Sequence, residues 1–178
     1  MPRRTDPWPA LALLGFLAVS LLAAVSGLLP FGPRTGSGRP FPHPAPGQLP
    51  GGAAVLLAAV VLLPTGVGAW MVWCRSPNGW PRIGGGGSLE ERAALRRRAL
   101  QLWGWMLCFC VCWSTTFLLL HRLGPAVMSC AGTIGLAVLA MRDFIRVHRA
   151  AGLLIAPCLG WLCYVAWITV GTALSNPF

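Results

Sequence analysis

The sequence predicts an all-α fold, a polytopic membrane protein built as a bundle of five transmembrane helices. Five apolar stretches, residues 8–29, 51–73, 99–120, 125–141 and 150–174, fill most of the 178-residue chain, and the charged residues lie almost entirely between them. A hydrocarbon core about 30 Å thick needs roughly 20 apolar residues in a helix rising about 1.5 Å per residue, with a lower limit of about 17. Each stretch meets that length. Composition points the same way: hydrophobic residues make up 56% of the chain and charged residues 10%, too few to cover the surface of a soluble domain of this size. A single membrane domain over residues 1–178 is the simplest organisation.

The first stretch, 8–29, follows Arg3 and Arg4 and passes small residues at Ala24 and Ser26, so a cleaved signal peptide is the alternative to a retained helix and would leave four spans. Its apolar run to Leu29 is longer than the roughly 7–15-residue core of a signal, which favours retention. Residues 30–50, PFGPRTGSGRPFPHPAPGQLP, hold so much proline and glycine that neither helix nor sheet persists, because proline removes donors and glycine adds backbone entropy. An extended connector follows. After the second stretch, 51–73, comes a Gly-rich linker over 76–88, SPNGWPRIGGGGS, which ends at Ser88 with Glu91 three residues on. That spacing is a capping box, in which each side chain satisfies the other's orphan backbone N–H. The third helix therefore begins in water. Its first turns, LEERAALRRR, rest Arg96, Arg97 and Arg98 among headgroups before the apolar run from Ala99 enters the bilayer. In the fourth and fifth stretches Gly132, Gly135, Gly152 and Gly160 are expected to let helices approach closely. No internal repeat is visible, and an odd number of spans argues against a duplicated transporter half.

The net charge of +10 comes from 14 arginines, no lysine and four acids, Asp6, Glu90, Glu91 and Asp143. In a soluble protein this would suggest nucleic acid. Here the arginines flank membrane spans, so lipid headgroups are the expected counter-charge and no nucleic-acid partner is predicted. With five spans, the amino terminus, second loop and fourth loop share eleven arginines, while Arg34, Arg39 and Arg122 lie on the other side. The positive-inside rule then places the amino terminus in the cytoplasm and the carboxyl terminus outside, in a cell-envelope membrane if the source is bacterial.

Residues able to do chemistry are sparse. Seven cysteines (Cys74, Cys108, Cys110, Cys112, Cys130, Cys158, Cys163) lie almost all within spans. Cys108 and Cys112 share a helix face and Cys110 points away, so the run cannot close on one zinc, and a packing role is favoured. An odd count also excludes a complete disulfide framework. His43, His121 and His148 sit in loops or at span ends, whereas an axial haem ligand at membrane depth would face inward mid-span. No Ser-His-Asp set, paired carboxylates or phosphate loop appears, and the span interiors carry no charge for a proton relay. Accordingly no catalytic residue, metal site or required cofactor is predicted.

Tryptophan is what the spans do contain: Trp70, Trp73, Trp103, Trp105, Trp113, Trp161 and Trp167. Trp73, Trp103 and Trp105 lie near span ends, where indoles gather at the membrane interface. Trp113 and Trp161 lie near mid-span, where an indole N–H needs a partner, and a cavity lined by such rings suits a flat aromatic or macrocyclic ligand.

Four segments carry a resemblance. They are GVGAWMVW (66–73), RRALQLWGWMLCFCVCWSTTFL (97–118), HRLGPAV (121–127) and AGLLIAPCLGWLCYVAWIT (151–169). In order and spacing they are similar to the TspO/MBR family, which comprises bacterial tryptophan-rich sensory proteins and the mitochondrial translocator protein, or peripheral benzodiazepine receptor. The family's third helix carries a pattern like R-x-A-L-x-L-x-x-x-Q-L-x-L-N-x-x-W-x-x-x-F-F, its next turn H-R-x-G-x-A, and its last helix A-x-x-L-x-x-P-Y-L-x-W. The resemblance covers roughly residues 60–174. It implies a receptor or carrier that takes up tetrapyrroles such as protoporphyrin, or a similar hydrophobic small molecule, in a pocket open toward the first loop. It also implies a homodimer. The implied ligand-binding residues are Trp113 and Trp161 for stacking, Pro157 for shape, and Cys110 and Thr169 for edge contacts, with Met106 and Cys158 beside them. Met106 and Cys110 stand where the family has glutamine and asparagine, and Cys158 and Thr169 where it has tyrosine and asparagine. Weaker porphyrin binding than in an asparagine-bearing relative is the consequence. The family's W-x-P-P-x-W-V-F loop signature and its tail tyrosine-arginine are also absent, so cholesterol recognition is not implied. Two other classes remain open: a light-dependent porphyrin-degrading enzyme, as reported for some members, and a structural or regulatory membrane protein with an eroded pocket.

Overall fold

The computed structural model describes residues 8–25, 51–75, 88–120 and 122–175, so the Pro/Gly-rich loop 30–50, most of the Gly-rich loop, His43 and His121 lie outside the described residues. The described residues form helices with short breaks between them: α1 (Trp8–Val25), α2 (Gly51–Cys74), α3 (Leu89–Ser114) continuing as a π-helical segment (Thr115–Leu119), α4 (Leu123–Val147), α5 (Arg149–Leu153) and α6 (Ala156–Ser175). Four helical stretches, Leu56–Cys74, Leu89–Phe117, Leu123–Val147 and Arg149–Ser175, are long and apolar enough to cross a membrane, and α1 adds a shorter apolar one, Ala10–Val25. The protein is thus a multi-pass membrane protein with five helical rods, the fifth made of α5 and α6. Lipid rather than water explains why Leu14, Leu22, Leu56, Met128 and Leu174 stand exposed, because a hydrocarbon solvent imposes no cost on outward apolar side chains.

The expected start of α3 is present. Ser88 Oγ accepts from the Glu91 backbone N–H at 3.2 Å and the Ser88 N–H donates to Glu91 Oε2 at 3.0 Å. Arg96, two turns along, donates from Nη1 to the carbonyls of Trp73 (3.4 Å) and Arg75 (3.3 Å), so a cation sits on the orphan carbonyls and negative dipole end of α2. Within α2, Pro64 interrupts the backbone ladder by removing one donor. Beside it, the Thr65 hydroxyl donates to the Leu62 carbonyl at 2.7 Å.

The helix ends depart from the predicted spans. α4 runs on to Val147, so Arg142, Asp143 and Arg146 are helical rather than loop residues. Asp143 is 2% exposed, with Arg98 Nε 3.2 Å from Oδ2 and Arg146 Nη1 3.9 Å from Oδ1. The Arg98 contact is an ion pair by distance only, since Oδ2 accepts no well-directed hydrogen bond. His148 separates α4 from α5 and caps α5, its Nδ1 accepting from the Ala151 N–H at 3.3 Å. The fifth rod breaks at Leu154–Ile155, and Pro157 occupies the first turn of α6, where its missing N–H costs nothing.

α3 packs most extensively on α4, α1 on α2, and α4 on α6, with α5 tucked against α4 and α2. The core between them holds Val72, Trp103, Met106, Phe144, Ile155 and Cys158 among many alanines. Close approach depends on glycine at positions that only partly match expectation. A Cβ on Gly152 would lie 2.8 Å from the Ile145 backbone nitrogen, and one on Gly132 would meet the Phe109 ring at 2.7 Å. Gly135 and Gly160, by contrast, have nothing within 4 Å, while Gly68 against the Ala151 carbonyl (2.9 Å) and Gly66 against the Phe16 carbonyl (2.9 Å) are the contacts the sequence did not single out.

Candidate functional site

The two ends of the bundle are built differently. One end carries the arginines of α3, α4 and α5 with Asp143. The other end carries aromatic rings on α3 and α6. There Trp113 is half-buried, stacks on Phe117 at 5.3 Å between centroids and 14° between planes, and donates its indole N–H to Thr169 Oγ1 at 2.9 Å. Thr169 is fully buried, and its hydroxyl proton goes to the Val165 carbonyl at 2.7 Å. Both the donor of Trp113 and the hydroxyl of Thr169 are therefore satisfied within the protein.

Hydroxyls shape the backbone beneath these rings. Ser114 donates to the Cys110 carbonyl (3.0 Å), Thr115 to Val111 (2.9 Å) and Thr116 to Cys112 (2.8 Å). Such back-bonds compete with the helical ladder, and the ladder widens here: Thr115–Leu119 is π-helical, with the Leu120 N–H donating to the Thr115 carbonyl at 2.9 Å. π segments frequently mark functional positions, because the wider turn re-aims the side chains around it. Phe117 is one of those side chains, 3% exposed against Leu123, Ala126 and Ile168, with Trp113 and Tyr164 packed alongside.

Trp161 lies deeper along α6. Its ring partner is Tyr164, at 5.2 Å and 32°, so each mid-span tryptophan has a ring partner of its own. Pro157, one turn before Trp161, is exposed. Met106 and Cys158 are both 0% exposed within the main core, and Cys110 is half-buried against that core. The structure thus places Trp113 and Thr169 in direct contact, and Met106 and Cys158 in one core. Among the described residues no group of three or more histidine, cysteine or acidic side chains is arranged to hold a metal ion.

Three aromatic roles lay outside the sequence reading. Phe117 and Tyr164 connect the two tryptophans to one cluster, and their i, i+4 and i, i+3 spacing from Trp113 and Trp161 was the available signal. Trp103 is not interfacial: it is 5% exposed, packs edge-on against Phe16 at 5.4 Å and donates to Thr65 Oγ1 at 3.1 Å. Span ends read from hydropathy misplace it because α3 starts ten residues before the apolar run does.

A cleft of about 580 Å³ lies elsewhere, between α1 and α3, walled by Leu22 and Trp105 and containing none of the predicted site residues.

An all-helical, multi-pass membrane protein with tryptophans at helix contacts is the class this fold defines. The TspO/MBR family model matches residues 41–174, and the chain belongs to the TspO/MBR family. No curated protein matches it significantly. Membership supports a membrane protein of receptor or transporter type.

Proposed function

We propose that this protein is a receptor or carrier that binds tetrapyrroles, or similarly flat hydrophobic molecules, between α3 and α6 at the aromatic end of the bundle, without chemistry of its own. The observation that carries the reading is the Trp113–Phe117 stack beside Tyr164 at a π-helical widening of α3. Aromatic faces supply dispersion and stacking to a macrocycle at little entropic cost. In this reading Trp113 and Trp161 offer faces and Cys110 and Thr169 supply weak edge contacts, while Pro157, at the start of α6 next to the arginine-bearing α5, shapes the far end of that helix rather than the ring cluster itself. Thr169 would accept only by sharing the oxygen that already accepts from Trp113. Affinity is therefore lower than in a relative with asparagines at these positions, since each lost amide hydrogen bond removes about 0.5–1.5 kcal/mol. The protein acts as a homodimer, with the amino terminus of α1 and the arginine-rich end on the cytoplasmic side.

Titrating protoporphyrin into the purified protein while following tryptophan fluorescence tests this. Saturable quenching is expected, reduced in Trp113→Phe and in Trp161→Phe. Quenching that fails to saturate, or that neither substitution changes, overturns the assignment.

A further inference from the structure

We propose that the cleft between α1 and α3 is a binding site for one anionic phospholipid, with its phosphate on Arg97 and an acyl chain along the cleft. The cleft floor is a single face of α3. Gln101, Gly104, Cys108 and Val111 follow one another at helical spacing, with Trp105 and Leu107 at its sides. Val19, Leu22 and Ala23 of α1 form the opposite wall over its upper part. Every lining side chain is apolar or a thiol except Gln101, which stands at the arginine-rich end. Beyond the Gln101 amide a polar small molecule has nothing to bind there, whereas a hydrocarbon chain is matched along the rest of the cleft.

Charge complementarity and length identify the occupant. Arg97 lies four residues before Gln101, seven before Gly104, eleven before Cys108 and fourteen before Val111, so it continues the cleft face one turn beyond its polar end. Its side chain is exposed, and among the described residues it has no hydrogen bond or ion pair. The neighbouring arginines are engaged: Arg96 on the end of α2 and Arg98 on Asp143. From Gln101 to Val111 the helix rises roughly 15 Å, half of a hydrocarbon core about 30 Å thick. A phospholipid of the adjoining leaflet therefore spans the cleft with its headgroup at Arg97 and its ester groups near the Gln101 amide. The attraction at a charged headgroup selects an anionic lipid over a zwitterionic one. This site is separate from the aromatic end and does not depend on the tetrapyrrole reading.

Native mass spectrometry of the full chain, released from mixed phosphatidylglycerol and phosphatidylcholine micelles, tests the assignment. The expected result is one retained phosphatidylglycerol per protomer, preferred over phosphatidylcholine. Arg97→Gln should lower that preference about fivefold, the equilibrium equivalent of one basic residue at an anionic surface, while Arg142→Gln, an exposed arginine at the same end but off the cleft, leaves it unchanged. Gly104→Leu should abolish retention of either lipid, because nothing lies within 4 Å of a Cβ at Gly104 and the new side chain fills the cleft without straining the helix. Equal retention of both lipids by the unmodified protein overturns the proposal, as does an equal effect of Arg97→Gln and Arg142→Gln. A dimer that Gly104→Leu dissociates, with no lipid retained, assigns the cleft to a second copy and overturns it too.

Discussion

Replacing Thr169 with valine isolates the hydrogen bond that holds Trp113. The two side chains have nearly the same shape, so packing around this fully buried position is kept. What is lost is the acceptor of the Trp113 indole N–H at 2.9 Å and the hydroxyl donation to the Val165 carbonyl at 2.7 Å. The second loss matters little, because that carbonyl keeps its helical partner. The first leaves an indole donor in a half-buried apolar setting without an acceptor. Side-chain hydrogen bonds between transmembrane helices contribute about 0.6 kcal/mol on average and up to about 1.7. The half-burial of Trp113 places Thr169→Val within that range, about 1 kcal/mol, or roughly 2–4 °C in melting temperature for a chain of this length. Trp113→Phe differs in kind: it removes the donor, but the Thr169 hydroxyl still has the Val165 carbonyl and nothing polar is orphaned. Hence adding Thr169→Val to Trp113→Phe should cost almost nothing further. A double-mutant cycle by reversible unfolding in mixed micelles should return a coupling of about 1 kcal/mol. Strictly additive single substitutions, or a Thr169→Val protein as stable as the parent, would refute the bond as a structural contact.

Two further outcomes follow from the geometry of the helix ends and contacts. Ser88→Ala removes half of the capping box and should destabilise the first turn of α3 by about 1 kcal/mol, seen as faster amide exchange at Glu91, whose N–H loses its acceptor. Unchanged exchange would mean that the cap does not hold that turn. Gly152→Ala should cost about 1–3 kcal/mol or more, the range for overpacking a filled contact, because its Cβ meets both the Ile145 Cγ1 and the Ile145 backbone nitrogen, and the backbone cannot move aside. Gly160→Ala, in open space, should instead stabilise α6 by about 0.5–1 kcal/mol. Melting temperatures of the two variants that move in the same direction would contradict this contrast.

The helices were legible because their cause is local. Apolar length sets a span, and Ser88 with Glu91 sets a start. What sequence did not reveal is set by contacts between helices. Trp103 and Trp113 both lie on α3, yet Trp103 is enclosed by Phe16 and Thr65 while Trp113 reaches Thr169 on α6. Their depths differ by ten residues of one helix, but the partners that decide their roles come from different rods. Asp143 shows the same limit at the other end. Hydropathy ends the fourth span at residue 141, but the helix continues to Val147 with the Asp143 carboxylate buried beside Arg98, a partner from α3.

This division bears on how a ligand can enter. The arginine-rich end is fastened by polar contacts: hydrogen bonds from Arg96 to the α2 carbonyls, the charge of Arg98 near Asp143, and His148 capping α5. Opening it would strip a buried carboxylate of its counter-charge, a change that costs several kcal/mol. At the aromatic end Phe117, Leu123, Ala126 and Ile168 meet through dispersion, and Trp113 contributes the cross-helix hydrogen bond to Thr169. In the proposed reading, a flat ring entering there would replace ring contacts with ring contacts and would compete with the Trp113–Thr169 hydrogen bond. The π-helical turn at Thr115–Leu119 lies at this same end, where the α3 ladder departs from regular α geometry. In the tetrapyrrole reading proposed above, the aromatic end would be the face that admits the ligand, because its contacts are mainly ring contacts while the charged end is held by polar ones.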